Sequence, residues 1–379
     1  MDNKKTKVAF FLPSLDGGGA ERNVINILNN ISSTYYRKRL VLAEKRGDFL
    51  EDINNETLIF NLRTVSLIVI FFKLVAYFRK EKPDIFVSSF PRFNAVSLLA
   101  KIFSRVNTKI ILIEHNFFSL FATTAKTLSH RLIARFLFPY VILFFYPKAD
   151  AIICVSQGVA KDFLTINKKL KINVIYNPIT HSNIQKLAEE SVNHPWFLNK
   201  EIPVIVMVGR LLINKDYPTF FKAFHIILKQ QPAHLVILGK GQELEKLQNL
   251  AKDLDITENI AFLGFQKNPY KYMRQATVFV LSSSREGFGN VIVEAMACGT
   301  PVISTNCFAG PNEIIKHGTS GMLIPVFDYE GLAKAVILIL RDAPLRRKFS
   351  EEGLKRAQDF TIQKSVGNYE ALFKELILQ

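Results

Sequence analysis

Cysteine is scarce in this chain: Cys154, Cys298 and Cys307 are the only three in 379 residues, and none stands in a CxxC pair. That spacing excludes a disulfide framework and a thiolate metal cluster, favours a reducing compartment, and leaves the thiols as small buried hydrophobes. Acids are also short. Asp and Glu number 33 against 49 Lys and Arg, a net charge of +16. Such a balance points to an anionic partner: nucleotide phosphates, a lipid head group surface, or nucleic acid. Apolar runs of membrane-spanning length are missing. The two nearest candidates, "VSLIVIFFKLVAYFRK" at 65–80 and "RLIARFLFPYVILFFYPK" at 131–148, are too short or are interrupted by Lys73, Arg135 and Pro139. Low-complexity tracts and repeats of solenoid period are missing too. The N-terminal lysines precede only a short apolar stretch that runs into a glycine turn, so a strand is expected there and not a signal peptide.

What is present is material for two ordinary cores: 49% apolar and 22% charged residues over a length that exceeds one domain. "KVAFFL" reads as a buried strand, "DGGG" as a turn, and "AERNVINILNNI" as a helix with Val24, Ile27, Leu28 and Ile31 on one face. Strand-like "RLVLA", "DIFVSSF", "KIILIEH", "DAIICVS" and "INVIY" follow, alternating with helical stretches, which predicts a parallel sheet covered by helices. The polar interval 180–200 carries no strand signal and reads as a linker. A second series then runs through "IPVIVMVGR", "AHLVILGKG", "NIAFLGF", "ATVFVLSSS", "TPVISTN" and "GMLIPV". The expected architecture is α/β, with two doubly wound, Rossmann-like domains. Residues 1–180 and 200–360 form them, and a C-terminal helix at 361–379 is expected to pack back toward the first. Ligands of such sheets bind beyond the carboxyl ends of strands, so the loops there are where chemistry is to be sought.

Two of those loops carry the right residue types. In "SSREGFGNVIVEAMACGTPVI" Glu286 lies on a loop after a strand. Gly287 and Gly289 allow close backbone approach, and the N–H groups of Phe288, Gly289 and Asn290 open a helix N-terminus that favours phosphate. Glu294, about one turn inside that helix, can accept two hydrogen bonds from a ribose diol. In "VGRLLINKDYP" Arg210 and Lys215 follow a strand. Arg grips phosphate oxygens through a planar fork, Lys acts as a mobile point charge, and both would offset charge on a leaving diphosphate.

The motifs "VGRLLINKD", "VILGKGQELEKL", "FLGF", "REGFGNVIVEAMACGTPVI" and "PNEIIKHGTSGMLIP" together resemble the nucleotide-sugar-binding half of glycosyltransferase family 4, retaining enzymes of the GT-B architecture, over nearly the whole second domain. "FLPSLDGGGAERNVINIL", "EHN" and "DAIICVSQGVAKDF" extend the likeness into the first domain, whereas residues 45–110 show little of it. The resemblance implies two domains facing across a cleft. It implies Glu286 near the donor-sugar hydroxyls, Glu294 on the ribose, and Arg210 and Lys215 on the diphosphate. Gly18 and Gly19 would approach the phosphate or the sugar, and His115 would face the sugar. Glu21 and Arg22 share the glycine-loop motif, where capping or bracing the first helix is an equal reading. Two close carboxyls, as retaining glycosidases use, are not evident beside the sugar. The resemblance implies instead a front-face displacement in which the leaving diphosphate takes the acceptor's proton.

Neither metal nor cofactor is expected. Asp253 and Asp255, the sole Asp-x-Asp, end a helical stretch and do not follow a strand as a metal-dependent GT-A enzyme requires. The implied partners are a nucleotide-sugar donor, of the UDP type, and a glycan or polyprenyl-linked oligosaccharide acceptor in cell-surface polysaccharide or glycoconjugate synthesis. The apolar stretches 65–80 and 131–148 are either core helices or a Phe-rich surface resting among anionic head groups at the cytoplasmic face of the inner membrane. A nucleotide-sugar epimerase of the same architecture is the alternative. A nicotinamide dehydrogenase is excluded, because "DGGGAER" and "GKGQEL" lack the third glycine of GxGxxG. No recognisable module supports nucleic-acid binding.

Overall fold

Strands of an all-parallel sheet are covered on both faces, and the Val, Ile, Leu and Phe runs of this chain are suited to that. A computed structural model describes residues 5–16, 18–117, 138–180, 183–199 and 201–378. It divides into two units, Met1–Pro178 with Ile362–Gln379, and Ile179–Thr361.

The first unit is built on β1 (Thr6–Leu12), β2 (Tyr36–Leu42), β3 (Leu58–Asn61), β4 (Ile85–Ser89), β5 (Lys109–Glu114), β6 (Ala151–Cys154) and β7 (Ile172–Val174), in the order β3-β2-β1-β4-β5-β6-β7. Every pairing is parallel; Phe10 of β1 stands between Leu40 of β2 and Val87 of β4. The chain winds outward from β1 to β3 and then returns to β1's other side, so a topological switch point falls between β1 and β4. Open α/β sheets bind ligands at such points. The helix Gly19–Asn30 leaves β1 with Val24, Ile25, Ile27 and Leu28 buried. The C-terminal helix Ile362–Leu378 belongs to this unit and packs on that helix, its Phe373 ring 6.4 Å from Phe10 and 5.7 Å from Tyr36.

The second unit repeats the plan with β8 (Val204–Val208), β9 (His234–Leu238), β10 (Ile260–Gly264), β11 (Val278–Leu281), β12 (Val302–Thr305) and β13 (Met322–Ile324), in the order β10-β9-β8-β11-β12-β13. Its switch point lies between β8 and β11, where Val206 pairs with both Val236 and Phe279. Phe220, Phe221 and Phe224 from the helix Tyr217–Leu228 and Leu332, Val336 and Ile339 from the helix Tyr329–Arg341 pack on Ile205, Leu235, Ile237 and Val280 of the sheet. Each such fully buried side chain contributes about 1.5–3 kcal/mol relative to exposure.

The linker expected at 180–200 is instead partly folded onto the second unit. Helices Asn183–Ala188 and Pro195–Leu198 bury Ile184, Ala188 and Phe197, and the Asn268 amide donates to the Leu187 carbonyl at 2.8 Å. Neither helix has two full turns, so neither leaves a periodicity to read. For 65–80, the core-helix reading holds for one face of a single helix, Leu67–Glu81, and the opposite face is exposed and apolar. Ile70, Leu74, Tyr77 and Phe78 are buried, while Ile68 is 72% and Phe72 65% exposed. Of the stretch 131–148, residues 131–137, Arg135 among them, lie outside the described residues. No described helix is long and apolar enough to cross a membrane.

Candidate active site

The winding of the second sheet places the loop after β8 beside the loop after β11, and this brings Lys215 to Glu286. Lys215 closes a 3-10 turn, Ile213–Lys215, and its Nζ stands 2.5 Å from Glu286 Oε1, with the two side chains only 17% and 11% exposed. Asn214 joins the same two loops: its Nδ2 donates to the Arg285 carbonyl at 3.3 Å, while its own carbonyl accepts from the Ser284 backbone at 2.9 Å. Arg210 also follows β8, but it is exposed and its guanidinium makes no hydrogen bond or ion pair with a described residue. The structure therefore couples Lys215, and not Arg210, to Glu286.

Beyond Glu286 the backbone turns sharply into the helix Asn290–Ala297, whose N-cap Gly289 sits at φ +96°, a left-handed conformation that glycine adopts without a Cβ penalty. Phe288 is buried and edge-on to Phe360 at 5.5 Å, so its ring anchors the turn. Gly310 brackets the turn from below: at φ +84°, a Cβ there would come within 1.9 Å of the Phe288 carbonyl oxygen. Gly287 is buried and Glu294 half-buried, the latter on the fifth residue of the helix. Asp253 closes the helix Leu244–Asp253, and Asp255 follows at φ +54°.

In the first unit, Gly18 caps the helix that begins at Gly19, and a Cβ on Gly18 would lie 2.1 Å from Glu21 Oε2, so the Glu21 carboxylate folds back over the helix start. Arg22 braces the helix: its Nη1 is 2.9 Å from Asp52 Oδ2 and its guanidinium lies 3.9 Å over the Phe49 ring. Gly17 of the same loop lies outside the described residues. His115 follows β5, its ring 5.5 Å from that of Phe90, which leaves β4 at φ +75°. Burial pushes its imidazole down to about 4, and Nε2 has no hydrogen-bond partner among the described residues.

Sequence reasoning missed what lies beneath His115. Glu114 is fully buried, and its Oε1 accepts from Asn94 Nδ2 at 2.7 Å and from the Tyr146 hydroxyl at 2.6 Å. Burial pushes Glu114 up to about 7, against the opposing pull of the Tyr146 and Asn94 hydrogen bonds. An acid inside an otherwise apolar strand, "KIILIE", was the available signal. All three cysteines are buried and free, and burial pushes Cys298 and Cys307 up to about 12, as inert thiols require.

Two doubly wound units, the second with a cation–carboxylate pair at its switch point and a glycine-capped helix beside it, define a two-domain α/β protein of doubly wound type. Residues 17–183 match the sequence model of Glycosyltransferase Family 4, and residues 190–356 that of Glycosyl transferases group 1. An uncharacterized glycosyltransferase of Methanocaldococcus jannaschii is 30% identical over 346 residues, covering 81% of this chain and 83% of that protein. The N-acetylgalactosamine-N,N'-diacetylbacillosaminyl-diphospho-undecaprenol 4-alpha-N-acetylgalactosaminyltransferase of Campylobacter jejuni is 29% identical, covering 93% and 95%. Among solved structures, Anabaena HepE in complex with UDP-glucose superposes with a TM-score of 0.80 at 19% identity, covering 97% and 99%. The chain belongs to the family 4 glycosyltransferases, enzymes of the GT-B fold.

Proposed function

We propose that this enzyme transfers a sugar, with retention of anomeric configuration, from a UDP-sugar to a glycan or polyprenyl-diphosphate-linked oligosaccharide in cell-surface polysaccharide or glycoconjugate synthesis. The Lys215–Glu286 pair at the β8/β11 switch point carries this reading. It joins the cation assigned here to the diphosphate with the carboxylate assigned to the sugar hydroxyls. The UDP-glucose bound by HepE supports the donor class, and the undecaprenol-linked substrate of the Campylobacter transferase supports the acceptor class.

In this reading Lys215 and Arg210 offset the charge that grows on the departing diphosphate, with the N-terminus at Asn290 adding its dipole. Stabilisation confined to the developing charge raises turnover and not ground-state affinity. Glu294 takes the ribose diol, Glu286 a sugar hydroxyl, and backbone at Gly18, Gly19, Gly287 and Gly289 permits close approach. His115, neutral at physiological pH, offers its ring nitrogens to a sugar hydroxyl. The leaving diphosphate takes the acceptor's proton, and side-chain cations stand in place of a metal.

We propose further that the enzyme works at the cytoplasmic face of an anionic membrane. Phe71 links the exposed Phe72 and Phe103 rings, at 5.1 and 5.5 Å, into one apolar patch. Arg79 reaches the same patch by donating to the Phe103 carbonyl at 3.2 Å. Apolar rings with adjoining cations fit a surface that rests among head groups.

The test is a thermal-shift and donor-hydrolysis panel of UDP-, GDP- and ADP-sugars, run with and without chelator. Stabilisation by UDP-sugars and turnover undiminished by chelator are expected; a donor 100-fold above its Kd adds about 2.7 kcal/mol. A shift by no nucleotide sugar would overturn the donor site, and activity lost to chelator and restored by manganese would overturn the metal-free mechanism.

A further inference from the structure

Three consecutive serines, Ser282 to Ser284, lead from β11 into the loop that carries Glu286. Ser282 and Ser283 are fully buried. A buried hydroxyl needs a partner, and the partners here are the active-site loops themselves. Ser282 Oγ donates to the Lys215 carbonyl at 2.9 Å, and Ser284 Oγ to the Asn214 carbonyl at 3.2 Å, which pins the Lys215 turn. Ser283 differs from its neighbours because its Oγ donates to a side chain, Glu286 Oε1, at 2.6 Å. From the other side Thr305 Oγ1, at the end of β12, donates to the Ser283 carbonyl at 2.5 Å and fixes the residue that holds Glu286.

We propose that Ser283 is a positioning residue for sugar transfer, acting through the Glu286 carboxylate. Glu286 Oε1 receives two donors, Lys215 Nζ and Ser283 Oγ, and they arrive from different loops. Together they set the rotation of the carboxylate about its last bond, so that Oε2 is the oxygen turned to a sugar hydroxyl. Lysine alone would leave that rotation loose, because an ammonium holds an oxygen as a point charge and a hydroxyl holds it along one direction. The inference rests on the reading of Glu286 as the residue that meets the donor sugar.

The experiment compares wild type, Ser283→Ala and Glu286→Gln in the full chain. It uses whichever of UDP-glucose, UDP-N-acetylglucosamine and UDP-N-acetylgalactosamine the wild type turns over fastest, with UDP affinity and melting temperature measured alongside. A hydrogen bond to a charged partner predicts that Ser283→Ala lowers kcat roughly ten- to a hundredfold, with UDP affinity unchanged within about twofold. Wild-type turnover by Ser283→Ala beside an impaired Glu286→Gln would overturn the positioning role and leave the donor site standing. Wild-type turnover by both variants, or no turnover of any donor by the wild type, would instead remove the reading on which the inference rests. Parallel loss of UDP affinity and kcat would make Ser283 a general brace of the loop, contrary to the proposal. Should Ser283→Ala melt early, Ser283→Cys, which keeps the volume and weakens the donor, must show the same kinetic split.

Discussion

Lys215 and Glu286 share a hydrogen bond in a setting where both side chains are largely enclosed, so removing the lysine does more than remove a charge. It leaves a mostly enclosed carboxylate with Ser283 Oγ as its remaining side-chain donor, and it withdraws the cation proposed for the diphosphate. Lys215→Ala is expected to cost on the order of a hundredfold in turnover under donor saturation. Glu21→Ala, which removes only a carboxylate folded over the first helix, should lose far less; equal, mild losses would remove the assignment. A second residue-scale prediction concerns Glu114 and His115. Burial raises the folded Glu114 to about 7 from 4.5, so its protonated native form adds stability at low pH that fades as pH rises through that window. Burial lowers His115 to about 4 from 6.5, so its neutral native form loses stability as pH falls through that window. Between about 4.5 and 6.5 the unfolded chain carries one proton on His115 and the folded chain one on Glu114, and the two slopes cancel. Glu114→Gln should therefore expose a stability that rises with pH over this range, and His115→Gln one that falls. Denaturant midpoints measured across pH 4.5–6.5 would test this; flat profiles in both variants would refute it.

At the scale of elements, the loop that carries Glu286 is held by backbone contacts that admit no side chain. Gly310 and the Phe288 carbonyl press together, with Gly289 turning into its helix just beyond. Gly310→Ala combines a left-handed backbone penalty with a backbone clash, whereas Gly318, at φ +73°, has nothing within 4 Å of its would-be Cβ. Gly318→Ala should cost about 1–2 kcal/mol. Gly310→Ala should cost more than twice that and also weaken UDP binding by shifting the 287–289 turn. Calorimetric melting and UDP titration of the two variants would decide it, and equal melting temperatures would contradict the bracket. Strand existence was legible along most of the chain, because parallel strands are continuous apolar runs. The exception is β3, a four-residue strand at the sheet's edge with no buried member, whose apolar run of three, Leu58 to Phe60, is too short to mark a strand. The short helices at 183–188 and 195–198 escaped for the corresponding reason.

At the scale of the molecule, a net charge of +16 and the exposed Phe72 and Phe103 rings favour an anionic surface together more than either does alone. The protein should sediment with phosphatidylglycerol vesicles at low salt and be released at high salt. Phe72→Ser with Phe103→Ser should reduce binding at least tenfold without lowering the melting temperature, since both rings are exposed; unchanged binding would exclude this face. Spacing and residue type alone determined the α/β class, the two strand series, and the candidate set Arg210, Lys215, Glu286 and Glu294. These follow from local rules: burial periodicity, turn chemistry, and acids and bases placed after strands. Tertiary structure alone decided which candidates meet. Winding order sets β8 next to β11, so Lys215 and Glu286, 71 residues apart, share a bond while Arg210, five residues from Lys215, does not. It also decided that burial pushes Glu114 up and His115 down, because solvation depends on what the rest of the chain packs around a residue and not on its neighbours in sequence.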